Sequence, residues 1–175
     1  MADRSKETLP NRETEKALSQ EEQLVSLLAE RNLTVTTAES CTGGLISGTI
    51  VNVAGASEVL NEAYVTYSNE AKHRLLGVRE ETLEQFGAVS AQTAREMAEG
   101  AAKAAGADMG LSSTGIAGPG GGTPEKPVGL VYIGCSLQGK TEVRECRFHG
   151  NREENRRHTV EEVLRLAIEM LLRTN

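Results

Sequence analysis

A chain of 175 residues and 18.7 kDa, with 38% apolar and 25% charged residues and a mean hydropathy of −0.35, has room for one domain. It carries too much apolar material for a disordered chain and too little for a membrane protein. Lys and Arg number 19 against 25 Asp and Glu, giving a net charge of −6. With 3% aromatic residues and no Trp, this argues against nucleic acid or an anionic membrane as partner.

Residues 1–12 are polar, contain Pro10 and lack periodicity, which reads as a flexible tail ahead of a domain over 13–175. From Glu13 to Arg31, Leu18, Leu24, Val25, Leu27 and Leu28 cluster on one helical face, and LTVTT at 33–37 follows as a β-branched strand. AESCTGG and LISGTIVNVAGA then suggest a strand end, a glycine turn and a helix. Such a turn lifts side chains above the carboxyl end of a sheet. A second strand is expected in 58–68 and a short helix over 69–78 closed by Gly77. EETLEQF forms another helix, and a longer, alanine-faced one runs from an N-cap at Ser90 to a stop at Gly106. MGLSSTG at 109–115 reads as a buried strand entering the glycine loop GIAGPGGGTPEKP. Strands at 128–137 and 141–148 are spaced as a hairpin through Gln138 and Gly139. The last helix opens at Asn151, with Glu154 at capping-box spacing. This order predicts a three-layer α/β/α sandwich with a mostly parallel sheet and one antiparallel pair.

The chemistry is narrowed first by elimination. GIAGPGGGT is neither GxGxxG before a helix nor GxxxxGK[ST], HExxH and CxxC are absent, and Cys41, Cys135 and Cys146 form no even set. No metal site, disulfide framework or cofactor is therefore expected. With no apolar leader and no run of 18 apolar residues, the expected location is the cytoplasm.

What remains is TAESCTGG. A serine at a strand-to-helix turn gains from helix N-terminal amides that steady an oxyanion, and glycines admit a substrate close to the backbone. Ser40 is thus a candidate nucleophile, with Cys41 as a rival. The plainer reading is that Ser40 and Thr42 only cap the helix. A buried, neutral lysine can serve as base, and Lys72 lies at the next strand-to-helix corner. Ser68, four residues earlier, offers an alternative Ser68/Lys72 dyad, and a solvated lysine paired with Glu70 is the bland outcome. The glycine loop is either a binding loop, with Thr114 facing it, or a set of turns. Arg152 and Arg156 share a face at the start of the last helix, where their guanidinium forks could hold a phosphate. Alternatively, the cluster of Arg144, Arg147, Arg152, Arg156 and Arg157 makes ordinary ion pairs.

TTAESCTGG at 36–44, VTYSNEAK at 65–72, GAVS at 87–90, STGIAGPGGGTPEKPVG at 113–129 and FHGNREENRR at 148–157 together resemble the CinA C-terminal-domain family, the stand-alone nicotinamide-nucleotide amidases. The resemblance implies a five-stranded mixed sheet, a homodimer, and cofactor-free hydrolysis of nicotinamide mononucleotide to nicotinic acid mononucleotide and ammonia in pyridine nucleotide salvage. It implies Ser40 as nucleophile, Lys72 as base and Tyr67 as proton relay. Thr42, Gly43, Gly44, Thr114, Gly115, Gly118, Arg152 and Arg156 would contact the substrate. Larger family members add an amino-terminal domain, whose activity is not transferred. The competing reading is a non-catalytic nucleotide-binding or competence/damage-response interaction module.

Overall fold

The computed structural model describes residues 17–174, so the expected tail over 1–12 lies outside the described residues. The chain runs α1 (Gln20–Glu30), β1 (Val35–Glu39), α2 (Leu45–Val51), a 3-10 turn (Ala56–Glu58), β2 (Tyr64–Val65), α3 (Asn69–Leu76), α4 (Glu80–Phe86), α5 (Ala91–Ala105), β3 (Met109–Gly115), β4 (Leu130–Leu137), β5 (Lys140–Arg147) and α6 (Arg152–Arg173). The helix signals of the sequence act as expected. Asn151 and Glu154 close a capping box on α6, Ser90 caps α5, and Gly77 and Gly106 end their helices in the left-handed conformation. Ser19 and Glu22 cap α1, so that helix starts later than its apolar pattern suggested and leaves Leu18 exposed.

The sheet order is β2-β1-β3-β4-β5. β1 pairs in parallel with β2 and β3, while β4 is antiparallel to both β3 and β5. Four strands therefore share one direction and β4 alone is reversed, giving two antiparallel pairings instead of the one expected. The glycine loop between β3 and β4 contains no helix, and without such a crossover the following strand returns antiparallel. β4 turns into β5 through Gln138 and Gly139, both at positive φ, as a tight two-residue hairpin requires. The strand expected over 58–68 shrinks to a bridge at Leu60 and two residues of β2. In the gap, Thr36 Oγ1 donates to the Glu62 carbonyl in place of a ladder bond.

Helices α1, α2 and α6 cover one face, where Leu24, Leu28, Ile46, Ile50, Leu164 and Leu171 meet Met109, Leu111 and Ile133. Helix α5, with α3, covers the other. Its alanine face allows the helix backbone to approach the sheet closely, and the sheet answers with glycines. A Cβ on Gly110 would lie 2.1 Å from the Ala98 carbonyl oxygen, and one on Gly134 would lie 2.6 Å from Ser112 Oγ. Ser112 Oγ in turn donates to the Ala94 carbonyl at 2.6 Å.

The contact between α5 and the sheet predicts that Gly110→Ala destabilises the fold by about 2–3 kcal/mol, because backbone atoms must move. Gly48→Ala, at a helical position with nothing within 4 Å, is neutral or stabilising by up to about 1 kcal/mol. Urea denaturation of the two variants against the parent checks the contrast.

Candidate active site

Three parallel strands deliver their carboxyl ends to one place. β1 ends at Glu39 and hands on Ser40, β2 leads through Thr66 to Tyr67, and β3 ends at Thr114 and Gly115. The ladder continues past the end of β1 on both sides. Ser40 N donates to the Ser113 carbonyl at 3.0 Å and Thr66 N to the Glu39 carbonyl at 2.9 Å, so the backbone at the serine is held from both neighbouring strands.

Against this end lies Lys72, on the first turn of α3 and only 1% exposed. Its Nζ donates to Ser40 Oγ at 3.0 Å, to the Thr66 carbonyl at 2.8 Å and to the Tyr67 carbonyl at 3.4 Å. Burial without a carboxylate partner pushes the amine down from 10.5 to about 8. The bland reading of this lysine therefore gives way on both counts: it is not solvated, and Glu70 pairs with Arg74 instead. Ser68 is also set aside, because its hydroxyl caps α3 by accepting from Ala71 N. The rival thiol of Cys41 is buried, and burial pushes it up to about 11, so it stays protonated at neutral pH.

A cavity of about 220 Å³ opens beside the pair, lined by Ser40, Lys72, Tyr67, Thr114, Gly115 and Arg152 among others. Thr114 Oγ1 gives its proton to the Ala88 carbonyl at 2.6 Å, so toward the cavity it can only accept. Tyr67 meets Lys72 through its backbone. Its side chain is 65% exposed, and its hydroxyl accepts from Arg152 Nη2 at 3.3 Å rather than serving the dyad directly. Arg152 also donates to the Gly118 carbonyl at 2.7 Å and thereby ties the glycine loop to α6.

The turn after Ser40 differs from its sequence reading. Glu39, fully buried, accepts from Gly44 N, Ile46 N and Ser47 N and from Thr42 Oγ1. The amides expected to steady an oxyanion are thus already occupied by this carboxylate, and neither Ser40 nor Thr42 caps α2 with its side chain. Thr42 instead joins the buried Glu39–Ser113 network. Gly43 and Gly44 supply the positive φ of the turn, and among the predicted contact residues these two, Thr42, Gly118 and Arg156 lie outside the cavity lining. Arg156 donates through Nε to the Cys41 carbonyl at 3.0 Å and through Nη2 to the Thr42 carbonyl at 2.9 Å. Of the other arginines, Arg144 pairs with Glu169, Arg147 with Glu145 and Arg157 with Glu161.

Two residues that matter here were missed in the sequence. Glu39 could have been noticed as a charge in a strand of otherwise buried residues just before a glycine turn. Asn155 could have been noticed as an amide on the apolar stripe of α6. Fully buried, it donates to the Ala117 and Gly150 carbonyls and accepts from Gly150 N, which fixes the glycine loop from beneath.

The CinA C-terminal domain family model matches residues 17–171. A CinA-like protein of Kosmotoga olearia is 60% identical over 138 residues, covering 79% of this chain and 34% of that protein. The chain spans about a third of the length of the curated relatives it matches. The crystal structure of a competence/damage inducible protein from Agrobacterium tumefaciens superposes with a TM-score of 0.83 at 45% identity, over 86% of this chain and 94% of that one. A competence damage-inducible protein A from Klebsiella pneumoniae gives 0.86 at 34% identity, over 89% and 97%. The chain belongs to the CinA C-terminal-domain family.

Proposed function

We propose that the protein is a Ser/Lys amidase that hydrolyses the carboxamide of nicotinamide mononucleotide to the acid and ammonia. The observation that carries this reading is the buried Lys72 amine 3.0 Å from Ser40 Oγ at the end of three strands. With the amine neutral, its two N–H groups remain on the Thr66 and Tyr67 carbonyls, its lone pair faces Ser40, and the serine hydroxyl becomes the donor. Ser40 Oγ then attacks the carboxamide carbon while Lys72 takes its proton. Lys72 returns that proton to the departing nitrogen, ammonia leaves, and an ester remains on Ser40. A water, deprotonated by Lys72, attacks the ester carbon, and Lys72 passes that proton to the departing Ser40 Oγ as the C–O bond breaks, which frees the acid and restores the dyad.

Thr114 supports the choice of an amide. Its hydroxyl proton is engaged by Ala88, so its oxygen accepts from a carboxamide NH₂ and repels a carboxylate. The cavity of about 220 Å³ is below the ~300–1,000 Å³ of pockets that enclose a whole drug-sized ligand. In this reading it takes the pyridine carboxamide, and the phosphate lies outside, at Arg152. The homodimer and the role in pyridine nucleotide salvage belong to the same proposal.

Ser40→Ala is expected to abolish ammonia release while the protein still folds, its stability lowered by about 1–3 kcal/mol because Lys72 loses one of its three hydrogen-bond acceptors. In the parent, kcat/KM rises with pH through an inflection near 8, where Lys72 loses its proton, and then levels off. Turnover by Ser40→Ala, or a flat profile between pH 6 and 9, contradicts the mechanism.

Lys72→Met is expected to be inactive but more stable. The folded-state value lies below the unfolded one, so the burial penalty is complete below about 8 and is relieved as pH rises toward 10.5. A shift of this size is worth about 3 kcal/mol, offset by the lost hydrogen bonds. Lys72→Met should therefore exceed the parent by about 1–3 kcal/mol at pH 7, with the gap closing between pH 8 and 10.5. Thermal melts across that range check it.

Arg152→Ala is expected to raise KM for the mononucleotide roughly ten- to hundredfold through loss of a charge-assisted contact. The nucleoside without phosphate is a poor substrate for the parent and is nearly indifferent to the substitution. Equal losses on both substrates would assign Arg152 to the glycine loop alone.

A further inference from the structure

Arg156 stands on the same face of α6 as Arg152, one turn further along, and the sequence offers both as phosphate ligands. Their surroundings separate them. Both line the groove between α2 and α6, but Arg152 also borders the catalytic cavity and reaches a single carbonyl, that of Gly118, whereas the planar fork of Arg156 grips two successive carbonyls of the nucleophile turn, those of Cys41 and Thr42. We infer that Arg156 is a positioning residue that holds the nucleophile turn in register, opposite the buried Glu39, and is not a ligand of the substrate phosphate.

The turn is gripped from both sides. Glu39 takes the amides of Gly44, Ile46 and Ser47, and Arg156 takes the carbonyls just before them. A continuous relay reaches the nucleophile. Arg156 Nη2 donates to the Thr42 carbonyl, and the same peptide carries Gly43 N–H, which donates to the Ser40 carbonyl at 3.2 Å. A cation on one end of a peptide strengthens the donor at its other end, so Arg156 tightens the bond that closes the turn on Ser40. Gly43, at φ +59, is held in a conformation that other residues adopt only with strain. Losing Arg156 therefore loosens the residue next to the reacting oxygen without touching Lys72. Misplacement of a reacting group by about 1 Å costs on the order of a hundredfold in rate.

This inference rests on the Ser/Lys amidase reading for its kinetic arm and is independent of it in its structural arm. Arg156→Gln and Arg156→Lys are compared with the parent in two measurements. The first is amide hydrogen exchange over residues 43–47. The second is kcat and KM on nicotinamide mononucleotide and on the nucleoside lacking phosphate. For Arg156→Gln the expected result is exchange at 43–47 faster by about tenfold or more, with the sheet unaffected. On both substrates kcat should fall by about ten- to hundredfold while KM changes less than about threefold. Lysine reaches one carbonyl instead of two, so Arg156→Lys should fall between, and it carries the same comparison if the glutamine variant melts below the assay temperature. Unchanged exchange at 43–47 overturns the inference, as does a rise in KM confined to the phosphorylated substrate with kcat intact. If the parent releases no ammonia, the amidase reading fails and the exchange measurement alone decides the role of Arg156.

Discussion

Lys72 is a primary amine taken out of water with no carboxylate beside it, and the rest of the site is arranged around that cost. A buried ammonium in this position must be hydrogen-bonded or give up its proton. The carbonyls of Thr66 and Tyr67 and the hydroxyl of Ser40 provide the three bonds. Desolvation brings the amine to about 8, where the neutral form that can accept a proton is populated near physiological pH. Had Glu70 reached Lys72, the charge would have been stabilised and the proposed base lost. Glu70 instead pairs with Arg74 on the exposed side of α3.

The fold supplies what this arrangement needs, which is a rigid serine. β1 lies between β2 and β3, and both neighbours continue their bonding past its last residue. The close contact of α5, allowed by Ala94, Ala98, Gly110 and Gly134, stiffens the layer beneath. The buried Glu39 spans the amino end of α2, so this short helix is anchored by a charge-assisted cap from the strand that precedes it. The opposite wall is the glycine loop, tied down by Arg152 and Asn155. The candidate site lies where the loop and the strand ends meet, above an ordinary apolar core.

Much of this was legible from residue order. Helix caps at Ser90 and Asn151, stops at Gly77 and Gly106, and the strand 109–115 all follow from local rules, and those rules hold because the signals are short-range. Ser40 and Lys72, 32 residues apart, are candidates by residue type and position, and the family resemblance is what chooses their pairing over the Ser68/Lys72 alternative. What stayed hidden was long-range. β2, at a sheet edge, pairs with β1 over only two residues, although the other edge strand, β5, runs for eight. The local hint at Glu39, a charge closing a buried strand before a glycine turn, does not say that its carboxylate binds the amides of a helix that starts six residues later. Arg156 and Arg152 are alike in spacing, and only the carbonyls of a turn 115 residues away separate them.

The central claim is that burial against Ser40 lowers Lys72 until its neutral form is populated close to neutral pH. Its most direct test is the titration of the Lys72 side chain itself, followed by NMR of the folded protein with lysine labelled at the ε position and assigned with Lys72→Met. A single midpoint near 8 is expected for Lys72. A midpoint at or above the ordinary 10.5 would mean that the amine stays charged beside Ser40 and would contradict its role as the base.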